Sequence, residues 1–207
     1  HGPYSQSWVD EWHRTQVSEH SYYCSDFKFR KGMVSDKNTP AYTLHMADGM
    51  WLNKSFKNSI LQRIAKCELD GKRYVYSDLG FVLLQQVVEK VTELPMDLYL
   101  AREFYAPMGL QRTMFLPLTK FTKAEIMPTA SNDFLRRQDI CGYVHDETAA
   151  CMGGVSGNAG LFSTAEEVAK VYQMLLNGGE FNGKRFLSEA TCRLFTTEKS
   201  AISRRGL

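Results

Sequence analysis

Few residues in this 207-residue chain have the types and spacing that chemistry uses. Tyr76-Ser77-Asp78 sets a phenol and a carboxylate two positions apart, just before an apolar run. Taken alone, the tripeptide reads as a half-buried tyrosine at a helix start, with Asp78 as the N-cap. Gly153-Gly154, Gly157 and Gly160 have the look of a phosphate loop, but no Gly-Lys-Ser/Thr ending follows. Tight turns that let backbone pack closely explain those glycines better. His13 and His20, near Asp10 and Glu19, could share one helical face and hold a metal. Solvated surface histidines are the plainer reading, so no metal site is expected. Five cysteines, Cys24, Cys67, Cys141, Cys151 and Cys192, are widely spaced and form no C-x-x-C pair. They read as separate small apolar residues, with room for one disulfide in an exported protein. Ser25-Asp26-Phe27-Lys28 is the one Ser-x-x-Lys in the chain.

The elements that must position these residues are mostly helices. Ile60, Leu61, Ile64 and Cys67 recur at helical spacing and predict a helix over 57–68, closed by the turn at Asp70-Gly71. A stronger helix is expected over 78–91, with Leu79, Val82, Leu83, Gln86, Val87 and Lys90 on one side. Pro95 stops it, and Met96 to Phe104 starts another. Ser163-Thr164-Ala165-Glu166 reads as a capping box for a helix carrying Val168, Val171, Leu175 and Leu176. Gly178-Gly179 ends it, and a short helix follows near Ser188 to Leu194. Phe115 to Asp139 reads as irregular, and Arg73 to Tyr76 as short and extended. The first 56 residues read as an irregular, lid-like segment pinned by aromatic side chains, with one short helix near Ser7 to Arg14.

Composition narrows the partners. Apolar residues make up 43% and charged residues 23%, as in a folded globular protein. A formal charge of +2 supplies no general field for nucleic acid or an anionic membrane. Gln85 and Gln86 interrupt the longest apolar stretch, far short of the roughly 20 residues that cross a bilayer. The first residue is histidine and no signal-peptide pattern follows, so the N-terminus reads as trimmed.

Three stretches, in order, resemble one family. Tyr76-Ser77-Asp78-Leu79-Gly80-Phe81-Val82-Leu83-Leu84 resembles the Tyr-x-Asn motif and following helix of class C β-lactamases and their esterase and peptidase relatives. Phe104-Tyr105-Ala106-Pro107-Met108-Gly109-Leu110, with Thr113 and Phe115, resembles the family's Pro-Leu-Gly-Met segment. Gly153 to Ala165, ending Ala159-Gly160-Leu161-Phe162-Ser163-Thr164-Ala165, resembles its glycine-rich stretch. The wording Gly142-Tyr143-Val144-His145-Asp146-Glu147 most resembles serine-hydrolase domains appended to bacterial family 3 glycosidases. Each stretch alone is weak, but their order and spacing are specific.

The resemblance implies an α+β fold, with this chain as its mainly helical lobe and most of the central sheet missing. It implies a single domain fragment and acyl transfer on an ester or amide. In the family the serine of Ser-x-x-Lys attacks a carbonyl, splitting one hard step into acylation and deacylation. By resemblance Tyr76 relays protons with the motif lysine, which a phenol of pKa about 10 needs beside it. Asp78 stands where the family usually has asparagine. An ionised aspartate only accepts hydrogen bonds. It could hold a lysine ammonium but would repel a substrate carboxylate, which favours an esterase or peptidase over a β-lactamase. Asn158 and Gly160 are implied on the substrate side, and His145-Asp146-Glu147 is implied as a turn near the cleft.

Two family parts are missing. Ser25 lies too close upstream of Tyr76 and among too many charges to be the nucleophile. No Lys-Thr-Gly or His-x-Gly follows the glycine-rich stretch. The polypeptide alone is therefore expected to lack hydrolase activity, having neither the serine nor its oxyanion hole. The family implies no metal or organic cofactor, a small-molecule or peptidoglycan-type substrate, and a periplasmic or extracellular site of action. It leaves room for a neighbouring domain. The rival reading is a non-catalytic, degenerate domain that binds peptidoglycan or carbohydrate, or that supports a glycosidase domain.

Overall fold

The computed structural model describes residues 9–18, 21–68 and 76–198. In chain order the strands are β1 (Val9–Ser18), β2 (Ser21–Phe29), β3 (Val34–Ser35), β4 (Tyr42–Ala47), β5 (Met50–Asn53), β6 (Pro128–Asp133), β7 (Gln138–Cys141), β8 (Glu180–Phe181) and β9 (Lys184–Arg185). The helices are α1 (Ser55–Ala65), α2 (Leu79–Thr92), α3 (Met96–Leu100), α4 (Glu147–Cys151), α5 (Ala165–Leu176) and α6 (Glu189–Thr196). A π turn, Ala101–Tyr105, continues α3, and 3-10 turns lie at Pro117–Thr119 and Lys123–Glu125. The fold is α+β, and among the described residues no sheet exceeds three strands. These residues fall into two compact units, one within His1–Val91 and Phe115–Gly160, the other within Thr92–Met114 and Leu161–Leu207.

Within the segment 1–56, read as irregular, the described residues of the first unit form paired strands. β1 and β2 pair antiparallel, so the helix expected near Ser7 to Arg14 is a strand from Val9 onward. β3, β5 and β4 form an antiparallel sheet, with Leu52 opposite both Val34 and Leu44. Asp48-Gly49 closes the β4–β5 hairpin, with Ala47 paired to Met50 and Gly49 at φ 59°. An Asp-Gly pair between apolar runs is a strong hairpin signal that the reading of this segment as irregular passed over. Phe115 to Asp139 is also more regular than expected, because β6 pairs with β7 across a turn at residues 134–137.

The core of this unit gathers Met46 and Leu52 from the sheet with Phe56, Ile60 and Ile64 of α1. The α1 residues recur every four positions and so share one helical face. Val82, Leu135, Val144 and residues 149–152 complete the cluster. The Arg73 to Tyr76 strand falls largely outside the described residues. In α2 the buried positions are Val82 and Gln85. Phe81, Leu83, Leu84, Val87 and Val91 are exposed. Of the side of α2 expected to be buried, Val82 is buried and Leu79 and Gln86 are half-buried, while Leu83, Val87 and Lys90 are exposed.

The second unit has its own core of Met108, Leu110 and Met174, flanked by Tyr105, Val171, Leu175, Phe181, Phe186 and Leu187. Burial pushes the Tyr105 phenol up to about 12. The α5 cap sits one residue later than expected. Thr164, not Ser163, accepts from the Glu167 N–H at 3.3 Å. Ser163 Oγ instead meets Thr113 Oγ1 at 2.7 Å. Glu167 does not turn back to the cap. Its carboxylate accepts from the Gln111 and Arg112 N–H groups at 2.7 and 3.0 Å and from the Thr113 hydroxyl at 2.6 Å. Gly178 and Gly179, at φ 63° and 94°, end α5 as the sequence suggests. Ser188 caps α6.

Candidate active site

The site is built on the head of α2 in the first unit. The Asp78 carbonyl accepts the first helical bonds, from the Phe81 and Val82 N–H groups at 3.0 and 3.2 Å. Ser77 Oγ accepts from the Leu79 N–H at 3.3 Å, so a hydroxyl one residue before Asp78 meets an orphan donor of the first turn. Tyr76 is 64% exposed rather than half-buried, which puts its phenol within reach of solutes. Asp78 is half-buried beside it.

The glycine-rich stretch lies against this helix. A Cβ on Gly157 would stand 2.1 Å from the Phe81 carbonyl oxygen, a distance no side chain tolerates. Gln85 secures the approach. Its Nε2 donates to the Val155 carbonyl at 3.3 Å and to Glu89 at 3.0 Å, and its Oε1 accepts from the Gly157 N–H at 3.2 Å. Gly160 is buried at φ 108°, and its Cβ would meet the Gly154 carbonyl oxygen at 2.3 Å. The close-packing reading therefore holds for Gly157 and Gly160.

Asn158 is half-buried and tied at both ends of its carboxamide. Its Nδ2 donates to Asp146 Oδ1 at 3.1 Å, and its Oδ1 accepts from the buried Ser156 hydroxyl at 2.6 Å. Asp146 Oδ1 also caps α4 by accepting from the Ala149 N–H at 2.7 Å. Beneath it lies a buried ion pair. Arg136 donates twice to Asp133, at 2.9 and 2.7 Å, and also to the Val144 and His145 carbonyls at 2.8 and 2.6 Å. Burial alone would push the Asp133 carboxyl up, but the bonds from Arg136 outweigh it and hold the carboxyl below the usual range.

Tyr76 and Asp78 thus stand at the head of the helix on which the Asn158 and Gly160 loop packs. Ser156, Gln85 and Arg136 were not singled out in the sequence, and Asp146 was read only as part of a turn near the cleft. For Asp146 a signal existed, because an aspartate before Glu-Thr-Ala-Ala-Cys is an N-cap pattern. Arg136 carried none, since arginine is almost never fully buried.

A second polar cluster lies in the same unit. His45 stacks on Trp51, with ring centroids 3.8 Å apart. The Tyr143 hydroxyl lies 3.2 Å from His45 Nε2 and donates to Asp48 at 2.9 Å, while Lys123 pairs with Asp48. Burial pushes the Tyr143 phenol up, with Asp48 adding to it. Burial lowers His45 despite the opposing pull of Asp48.

Among the described residues no group of His, Cys, Asp or Glu is arranged to hold a metal. His20 lies outside them, and His13 is part of β1. Cys67, Cys141, Cys151 and Cys192 are free thiols. Ser25 to Lys28 lies in β2, on extended backbone. A Ser-x-x-Lys pair becomes neighbours across one turn of a helix, which this strand does not provide.

The family model described as Beta-lactamase matches residues 18–205. A protein of Escherichia coli K12 named "Putative D-alanyl-D-alanine carboxypeptidase" is 36% identical over 166 residues, covering 73% of this chain and 38% of that protein. A Salmonella agona protein of the same name is 33% identical over 183 residues, covering 81% of this chain and 42% of that protein. The chain thus spans about two fifths of the length of these relatives. An octameric penicillin-binding protein homologue from Pyrococcus abyssi aligns with 79% of this chain and 32% of its own, at TM-score 0.48 and 17% identity. The D-amino acid amidase of Ochrobactrum anthropi aligns with 76% of this chain and 47% of its own, at TM-score 0.46 and 15% identity.

Proposed function

The chain belongs to the β-lactamase family, and from that premise we propose that it forms part of a serine-hydrolase site that transfers an acyl group from an ester or amide to water. The observation that carries this reading is the exposed Tyr76 phenol at the head of α2, with the glycine-rich loop packed on that same helix. In the proposed reaction a serine outside these 207 residues attacks the carbonyl. Its proton passes to the Tyr76 oxygen and on to the leaving alkoxide or amine. Water then breaks the acyl-serine ester and restores the serine. Tyr76 can act so at neutral pH only with a cation beside it, which the family's motif lysine would supply.

Asp78 sets the substrate class. A carboxylate at this position disfavours a substrate carboxylate near the reacting carbonyl, which argues for an esterase or peptidase over a β-lactamase. The name carried by the relatives pulls the other way on this point, toward a cell-wall peptide with a free C-terminal carboxylate, and supports a periplasmic or extracellular site of action. We further propose that this polypeptide alone is inactive, as its single Ser-x-x-Lys lies in a strand.

The test is covalent labelling. The chain is incubated with a fluorophosphonate or penicillin probe and its intact mass recorded. No adduct is expected, whereas a stoichiometric adduct would make Ser25 or another residue of the chain the nucleophile and overturn the proposed inactivity. A longer polypeptide, extended at both ends, is expected to label, and Tyr76→Phe is expected to slow that labelling by about 100-fold or more. Absence of labelling in the longer protein would favour a non-catalytic binding domain.

A further inference from the structure

The Asn158 carboxamide has two N–H donors and a carbonyl with two lone pairs. One donor goes to Asp146 and one lone pair to Ser156. One donor and one acceptor remain on a half-buried side chain of the candidate site. Which end of the carboxamide faces which way depends on its partners. The Ser156 hydroxyl is no guide, because it can donate or accept. A carboxylate can only accept, so Asp146 compels the Nδ2 end toward itself.

We propose that Asp146 is a positioning residue that fixes the orientation of Asn158, and that Arg136 in turn fixes Asp146 by gripping the Val144 and His145 carbonyls just before it. The proposal rests on the reading of Asn158 as a substrate-facing side chain. It assigns a task to the buried Arg136–Asp133 pair, whose side chains are 0% and 1% exposed. Such a pair is weak evidence for stability, since desolvation consumes much of its attraction. Here it spends its remaining donors on the main chain that leads into Asp146. The route runs from Asp133 and Arg136 through residues 144 and 145 to Asp146, then to Asn158 and Ser156. Asp146 does not touch the reacting atoms in this scheme. It leaves the free Asn158 donor and acceptor facing one way, as an amide or ester substrate would require.

The test reads orientation directly and uses no hydrolysis. In the chain labelled with 15N-asparagine, the Asn158 side-chain amide is assigned by its loss in Asn158→Asp. Asp146→Ser keeps an N-cap oxygen for α4 but is uncharged and too short to hold Asn158. Exchange of the bonded Nδ2 proton with solvent is expected to speed up about ten-fold in this variant, while the Ala149 N–H keeps its protection. Asp146→Asn keeps the length and the oxygen on which the Ala149 and Asn158 bonds converge, but not the charge. A single set of Asn158 side-chain signals is expected there, with the Nδ2 proton exchanging faster than in the wild type and slower than in Asp146→Ser. Unchanged Asn158 signals in both variants would overturn the proposal. Loss of Ala149 protection together with that of Asn158 would also overturn it, as Asp146 would then act only by capping the helix. Failure of the longer protein to label would sink the proposed reaction and leave this orientation result standing on its own.

Discussion

Two buried carboxylates show how single residues hold each unit. Asp133 faces Arg136 with both side chains out of water. Removing one partner strands the other, so Asp133→Ala is expected to cost about 3–5 kcal/mol. Replacing both with apolar residues of similar volume is expected to cost far less in stability, because the desolvation penalty goes with the pair. Urea unfolding of the single and double variants checks this. A double variant as unstable as the single would mean that the bonds to the Val144 and His145 carbonyls matter more than the ion pair. In the second unit Glu167 gathers three donors from residues 111–113. Glu167→Ala leaves them without that acceptor, at about 1–3 kcal/mol for each donor that stays buried. Glu166, one residue earlier, lies exposed and pairs with Lys170 at 2.9 Å. Glu166→Ala is therefore expected to change stability by less than about 0.5 kcal/mol. Thermal unfolding that ranks the two variants the other way would contradict the shifted cap.

The contact between α2 and the glycine-rich loop sets the geometry of the site, and two glycines test it in opposite senses. At Gly80 a Cβ meets nothing within 4 Å on an exposed stretch of α2. Gly80→Ala is expected to stabilise the chain by about 0.4–1 kcal/mol. At Gly157 a Cβ runs into the Phe81 carbonyl, so Gly157→Ala must push the loop off the helix at a cost of about 1–3 kcal/mol. Equal unfolding midpoints for the two variants would refute the close approach.

What sequence could say about elements follows the same division. α1, α2, α5 and α6 were legible because helical periodicity, Pro95 and Gly178-Gly179 are all local signals. The β3-β5-β4 sheet was missed although Asp48-Gly49 marks the β4–β5 hairpin locally, and only the pairing of β3 with β5 depends on a more distant partner. The buried face of α2 was only partly legible for a related reason. Its apolar residues surround the helix, and only the docking of Gly157 at Gln85 selects a face. Within the site, Tyr76 and Asp78 could be read beside the helix they precede. The link from Asp146 to Asn158 spans separate loops and left no local trace.

At the scale of the whole molecule, the groups that titrate on the acid side pull in one direction. The folded structure lowers Asp48, Asp133 and Glu167, and it lowers His45 as well. For Asp48 the leading cause is the hydrogen bond from Lys123. For Glu167 burial alone would raise the carboxyl, but the bonds from Thr113, Arg112 and Gln111 prevail. A carboxyl lowered on folding contributes stability above its unfolded value and loses it as pH falls through the folded one. That loss begins below the ordinary values of 3.8 for aspartate and 4.5 for glutamate. A histidine lowered on folding acts at a higher pH. The unfolded chain takes up the proton first, so stability starts to fall below 6.5 and levels off beneath the folded value. Two descending steps are therefore expected as the solution is acidified. His45→Gln removes the upper step and Glu167→Gln reduces the lower one, each leaving the other in place. Unfolding free energies from pH 8 to pH 3 test this. A wild-type curve that rises between pH 6.5 and 5 would show that the attraction of Asp48 for a protonated His45 outweighs the burial of its ring.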